Sequence, residues 1–193
     1  MSDPVLHLIV GPNGSGKSTF HLRALGPIVN LPFVNADVLA ANRWPDDAFA
    51  HGYDGAELAA AERTRLISER CSFITESVFS HPSKLVMIQE ARAAGFLLAI
   101  HVLMVPVELT IARVEDRVRD GGHPVPEEKV RERFTRLWRL VAEGIEFAEE
   151  ATVYDNSRAA KPFAVTARYR QGRLVGTPNW PVWAPVELLT AGQ

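Results

Sequence analysis

The sequence predicts an α/β fold: a parallel sheet with helices on both faces. Three observations carry this. Strand-like and helix-like segments alternate as far as residue 157. The strand segments are nearly continuous apolar runs, as expected of parallel strands covered on both sides. Finally, the first strand and the first helix are joined by a glycine-rich turn, "GPNGSGKST". With 193 residues the chain is long enough for one domain with a full core, so residues 1–193 are expected to form a single unit.

Leu6, Leu8, Ile9 and Val10 read as a short buried strand, and helix-forming character resumes from Gly16 onward. The turn between them fits G-x-x-x-x-G-K-[ST] from Gly11 to Ser18. Glycines let backbone N–H groups crowd around an anion, and the following helix turns its positive end toward it. Gly11, Pro12, Asn13, Gly14, Ser15, Gly16, Lys17, Ser18 and Thr19 are therefore expected to bind ATP. Lys17 would reach the β- and γ-phosphates, and Ser18 would sit on Mg²⁺. A flexible Gly/Ser loop is the alternative, and it leaves the Lys-Ser pair unexplained.

"LPFVNAD" (31–37) predicts a second short strand, followed by the irregular "AANRWPDDAFAHGYDG" and the helical "AELAAAERTRLISERC". "CSFITES" (71–77) is a third strand, and "PSKLVMIQEARAAG" a helix stopped by Gly95. "FLLAIHVLMV" (96–105), the most apolar run, is a central buried strand. "PVELTIARVEDRVRD" predicts a helix ending at Gly121-Gly122, "PEEKVRERFTRLWRLVAEGIEFAEE" a long helix, and "ATVYDNS" (151–157) a fifth strand. Beyond them, about 162–193, "FAVTARYRQGRLVGTPNW" predicts a hairpin turning at Gln171-Gly172, and "PNWPVWAPVE" is too rich in proline for regular structure. This tail is expected to lie across the sheet edge, anchored by Trp180 and Trp183.

The 47% hydrophobic and 23% charged fractions are those of an ordinary globular protein, and no stretch approaches the roughly 18 apolar residues of a membrane span. "MSDPVLHLIV" lacks a basic region ahead of its apolar run, so neither a signal peptide nor a membrane anchor is expected and the location is expected to be cytoplasmic. The one cysteine, Cys71, has no internal disulfide partner and is expected to be a small buried hydrophobe. A net charge of -2 argues against a nucleic-acid-coating function. The arginines between Arg113 and Arg139 are interleaved with acids, so most should lie on solvated helix faces with i, i+4 partners, leaving a few to face a polyanion.

In an open α/β sheet, ligands bind beyond the carboxyl ends of the strands. Besides the phosphate loop, Asn35 and Asp37, Glu76 and Ser77, and Asp155 with Asn156 fall at such ends. An acid beside a phosphate loop can hold Mg²⁺ or take the proton of an attacking hydroxyl. Helix N-capping is the competing role for each, and the expected one for Asp155. The connection "RDGGHPVPEE" has glycines, prolines and flanking arginines, which suit a lid of about 117–133. Arg117 and Arg133 are its expected phosphate ligands, and His123 is expected to make local hydrogen bonds.

Taken in order, "GPNGSGKST", "FVNAD", "FITES", "RVRDGGHPVPEEKVRERF" and "YDNS" resemble the compact bacterial branch of the zeta toxin family of P-loop kinases, over roughly residues 5–157. The resemblance implies a P-loop kinase-type sheet of order 2-3-1-4-5. It puts Asp37 in the place of the catalytic base, Lys17 and Ser18 on nucleotide and metal, Glu76 on the substrate side, and Arg117 and Arg133 on the phosphates. Better-studied zeta toxins phosphorylate UDP-N-acetylglucosamine and are blocked by an antitoxin. The implied function is therefore an ATP-dependent kinase for a small-molecule hydroxyl, such as that of a nucleotide sugar, with a cognate antitoxin as the partner to look for. The chain departs from those toxins in "NADVLAANRWPDD", where they carry a different substrate-facing segment. A nucleotide, drug or nucleic-acid-end kinase is an alternative, as is an ATP-dependent switch acting on a protein; no LSGGQ-like or N-K-x-D motif supports a transporter ATPase or a GTPase.

Overall fold

A computed structural model of the chain describes residues 3–119 and 125–192. Seven strands form one sheet in the order β2-β3-β1-β4-β5-β6-β7. Strands β1 (Val5–Val10), β2 (Phe33–Val34), β3 (Phe73–Ser77), β4 (Leu97–Met104) and β5 (Glu150–Asp155) run parallel, in the expected 2-3-1-4-5 order. The hairpin of β6 (Ala164–Arg170) and β7 (Arg173–Val175) turns at Gln171-Gly172, as expected. It does not cross the sheet edge; β6 pairs antiparallel with β5 and so continues the sheet.

Alternation along β1 sorts its side chains between two layers. Leu6, Leu8 and Val10 join the larger core, under α4 (Gly52–Ser68), α5 (Ser83–Ala93), α7 (Glu127–Glu146) and the short α8 (Val186–Thr190). Trp180 and Trp183 pack against this core, as the tail's expected anchors. Ile9 joins the opposite layer with Phe20 and Leu25, from the segment that follows the phosphate loop. That segment is α1 (Lys17–Phe20), a π-helical turn over His21–Leu25, and α2 (Gly26–Val29). Pro27 has no N–H to donate back into the preceding turn, which favours this change of winding.

Two further expectations are corrected. The second strand is only two residues long: Asn35 Oδ1 accepts a hydrogen bond from the Val38 N–H at 3.0 Å and starts α3 (Ala36–Arg43). This local bond takes the backbone out of the sheet, so Asp37, expected at the end of a strand, lies on a helix that runs on into the stretch expected to be irregular. Cys71 is exposed, because α4 ends in a reversal with Arg70 at φ 54° and the Cys71 N–H bonded to the Leu66 carbonyl at 2.9 Å. The thiol falls outside the strand that buries Phe73. Helix α6 (Val107–Arg119) packs on α7, and Arg131 joins them by reaching both Glu108 and Glu127. Among the described residues no helix is long and apolar enough to cross a membrane.

Beneath Phe20, His7 of β1 and His101 of β4 stand with Nδ1 and Nε2 3.2 Å apart, and the Tyr154 hydroxyl lies 3.5 Å from His101 Nδ1. Such a contact needs one nitrogen to be unprotonated. Burial, helped by the His7 charge, lowers the His101 pKa from 6.5 to about 4. The unfolded chain therefore takes up this proton first, so stability is complete above 6.5 and falls as the pH drops toward about 4. Urea denaturation at pH 7 and pH 5 is expected to show this loss, and His101→Phe to reduce it.

Candidate active site

The phosphate loop begins where β1 ends. Gly11 has φ 152°, and a Cβ there would stand 2.4 Å from the Leu103 carbonyl oxygen; at Gly16, φ 90°, it would meet Asn156 Nδ2 at 2.5 Å. Only glycine suits both positions. Asn13 Oδ1 and Ser15 Oγ are buried without a hydrogen-bond partner among the described residues. Lys17 is 9% exposed and donates from Nζ to the carbonyl oxygens of Gly11 and Pro12, both at 3.0 Å. Burial lowers its pKa; the Glu76 carboxylate opposes this, Arg117 adds to it, and Asp37 opposes it.

The charges of Glu76, Arg117 and Asp37, each from a different element, thus reach Lys17 near the carboxyl ends of the central strands. Ser18 Oγ donates to Glu76, 3.2 Å from Oε1 and 3.1 Å from Oε2. Glu76 sits on β3 in register with Ile9. Its pKa is raised by burial; Lys17 and Ser18 pull it down, Asp37 pushes it up, and a bond from Asn35 pulls it down again. A hydroxyl and a carboxylate in contact are hard oxygen ligands of the kind Mg²⁺ takes. The described residues hold no cluster of three or more His, Cys, Asp or Glu that could cage a metal, so an ion here would share its shell with phosphate oxygens and water.

The competition between capping and chemistry resolves differently at each strand end. Asn35, buried, caps α3; Asp37 lies exposed in the first turn of that helix and does not cap it. Ser77 Oγ accepts from the Phe79 N–H at 3.0 Å and serves the local turn. Asp155 Oδ1 accepts from the Ser157 N–H at 2.8 Å, closing a turn where a helix cap was expected. Thr19 is exposed on α1, at the edge of a recess of about 510 Å³ that Gly14, Gly16, Arg23, Arg113 and Phe163 also line. A recess of about 650 Å³ between the C-terminal ends of α4 and α5 contains none of the expected site residues.

Asn156 and Arg113 do more than sequence reasoning assigned to them. Asn156 donates from Nδ2 to the Ser15 carbonyl at 2.8 Å, and its Oδ1 accepts from the Phe163 N–H at 3.3 Å. Arg113 donates to the Gly14 carbonyl at 3.2 Å and the Asn156 carbonyl at 3.0 Å. Together they tie the phosphate loop to α6 and to the end of β5. The only signal in the sequence was polarity: Asn156 follows an apolar strand, and Arg113 interrupts the helix stripe of Ile111 and Val114.

Of the two arginines expected to flank a lid, Arg117 is on the last turn of α6 and its charge acts on Lys17, whereas Arg133 is half-buried on α7. Gly121, Gly122 and His123 lie outside the described residues. As expected for solvated faces, Arg131, Arg136 and Arg139 pair with Glu127, Glu132 and Glu143 one turn away. Asn156→Ala is expected to cost about 1–3 kcal/mol by leaving buried groups unpaired, and to weaken ATP binding. Thermal unfolding and titration with an ATP analogue check both.

A profile of the zeta toxin family matches residues 37–165, about two thirds of the chain. An uncharacterised protein of Haemophilus influenzae is 29% identical over 125 residues, 64% of this chain and 88% of the relative. Among solved structures, the AvrRxo1-ORF1:AvrRxo1-ORF2 complex with sulphate ions superposes with a TM-score of 0.72 at 16% identity, over 92% of this chain. The same complex with ATP gives 0.70 at 15% identity, over 95% of this chain and 66% of the other. The match spans 61% of the sulphate-bound AvrRxo1 chain, so a large part of that protein has no counterpart here. The PezAT chromosomal toxin-antitoxin system of Streptococcus pneumoniae gives 0.61 at 13% identity, over 80% of this chain and 69% of the other. At these identities the structural likeness establishes the P-loop kinase fold alone. With the profile match across β3 to β5 and the seven-stranded sheet built around Gly11–Ser18, the chain belongs to the zeta toxin family.

Proposed function

We propose that the protein is an ATP-dependent phosphotransferase acting on a hydroxyl of a small molecule. The observation that carries this reading is the convergence of Lys17, the Ser18–Glu76 pair and Asp37 at the carboxyl ends of β1, β3 and β2. A nucleotide-binding loop alone would need the first two. An exposed carboxylate beyond them, which the cap of its own helix does not use, fits a base waiting for an incoming hydroxyl.

In this reading the loop amides and Lys17 hold the ATP phosphates, and the recess beside Gly14, Gly16 and Phe163 takes the nucleoside. Lys17 exchanges the carbonyls of Gly11 and Pro12 for phosphate oxygens. Ser18 and Glu76 would hold Mg²⁺, which when bound neutralises phosphate charge. Asp37 accepts the acceptor's proton, while Arg117 and Arg133 stabilise the charge on the transferring group. A nucleotide sugar such as UDP-N-acetylglucosamine is one acceptor to test, alongside nucleotides and sugars. PezAT, a toxin-antitoxin system, supports a protein antitoxin as partner.

Incubation with Mg²⁺, ATP and a panel of hydroxyl compounds, read by mass, tests this function. ATP turnover stimulated only by a protein would instead favour a nucleotide-dependent switch. Lys17→Ala is expected to abolish transfer and nucleotide-phosphate binding, since it removes the point charge on the transferring end. Asp37→Asn is expected to slow transfer by a factor of about 10²–10⁴ with ATP affinity and thermal midpoint nearly unchanged. Unchanged transfer in that variant would remove Asp37 from the mechanism.

A further inference from the structure

The net charge of -2 conceals a separation of charge along the sheet. Residues 44–58 contain Asp46, Asp47, Asp54 and Glu57, all exposed, and neither Lys nor Arg. Residues 156–186 contain Arg158, Lys161, Arg168, Arg170 and Arg173, also exposed, and neither Asp nor Glu. The acidic stretch joins α3 to the first turns of α4, beside β2. The basic stretch includes β6 and β7, and β2 and β7 are the two edge strands. The strand spacings between those edges add up to about 29 Å, several times the screening length of physiological salt, so neither face neutralises the other within one molecule.

The arginines project from a bare part of the sheet. Across β5, β6 and β7, the paired residues Ala151, Tyr169 and Leu174 turn to the larger core, so Arg168, Arg170, Arg173 and Val175 face the other way. The layer on that side reaches Tyr154 on β5 but includes no residue of β6 or β7. Arg170 pairs with Glu150 at 3.6 Å, whereas Arg168 and Arg173 have no carboxylate partner among the described residues. Val175, opposite Arg168, is 53% exposed. The acidic stretch mixes the same two characters: Phe49 and Tyr53 are 58% and 90% exposed among its carboxylates. Asp54 pairs with His51 at 2.6 Å, and Asp46 and Asp47 have no cationic partner among the described residues.

We propose that the acidic face of one molecule docks on the arginine face of a second copy. Each face combines exposed apolar side chains with charges mainly of one sign, and the opposite signs supply both attraction and orientation. A second copy is the occupant for which the chain itself provides the matching chemistry. A single-stranded nucleic acid would also meet the arginines, but the outward rows of β6 and β7 offer no aromatic ring on which a base could stack. The Leu174 N–H on β7 is bonded to the Gly192 carbonyl at 3.2 Å, so the contact is made across the face and not by adding a strand at the edge. Two such contacts about a twofold axis close a dimer, and one contact per pair extends a series.

The test is sedimentation of the full chain at rising concentration in low salt. Species heavier than the monomer are expected, and added salt should disperse them. Arg168→Glu/Arg173→Glu on the basic face and Asp46→Lys/Asp47→Lys on the acidic face should each weaken self-association by more than about tenfold. All four positions are exposed, and circular dichroism with thermal unfolding verifies that both variants fold. Mixed in equal amounts, the two variants should associate with each other, because the first keeps the native acidic face and the second the native arginine face. A native chain that stays monomeric at every concentration overturns the proposal, as does a mixture of the variants that fails to associate. A monomeric native chain that binds poly-L-glutamate or oligothymidylate, with the binding lost in Arg168→Glu/Arg173→Glu, overturns it too and assigns the arginine face to an acidic protein or to a nucleic acid. The readout is mass, so it stands apart from whether the chain transfers phosphate.

Discussion

The site depends on how the phosphate loop is held open. Its glycines have left-handed or extended conformations that the loop could leave as readily as it adopts them, so its shape must come from outside. The buried amide of Asn156 supplies this, with one end on the Ser15 carbonyl and the other on the Phe163 N–H. Arg113 adds a second brace from α6 to Gly14 and to the Asn156 carbonyl. The two braces hold the carbonyls of Ser15 and Gly14 from outside the loop. The parallel pairing of β4 with β5 makes this possible, because it sets the end of β5 beside the end of β4 and hence next to the loop.

Once the loop is held, the charges at the strand ends constrain one another. Lys17 is buried deeply enough to lose affinity for its proton, and the Glu76 carboxylate offsets that loss. Glu76 is in turn raised by its own burial and restrained by Lys17 and Ser18. Each group is therefore tuned by a neighbour that belongs to another strand or helix. A polyanion with a divalent cation would replace these mutual interactions, which is why the cluster accords with nucleotide phosphate better than with a structural role.

The two ends of the sheet edge divide the work. Toward β5, the recess beside Phe163 and Arg113 borders the loop; toward β2, α3 presents Asp37. The chain thus has one polar environment on each side of the loop. That arrangement suits transfer between two molecules, one lying on either side.

Much of this was legible in the order of residues. The alternation of apolar runs with amphipathic helices, and the spacing from Gly11 to Ser18, determine the α/β class and the loop, because both depend on local periodicity and local backbone freedom. Resemblance to the zeta toxins carried the order of the first five strands. Tertiary structure alone decided the rest. It made Asn35 the cap of α3 and released Asp37, a choice between two neighbouring polar residues that depends on where the chain leaves the sheet. It brought Glu76 onto Ser18 through the pairing of β3 with β1, and Asn156 under the loop across a distance in sequence that no local pattern spans. It also exposed Cys71, since the turn after α4 sets that side chain outside the strand.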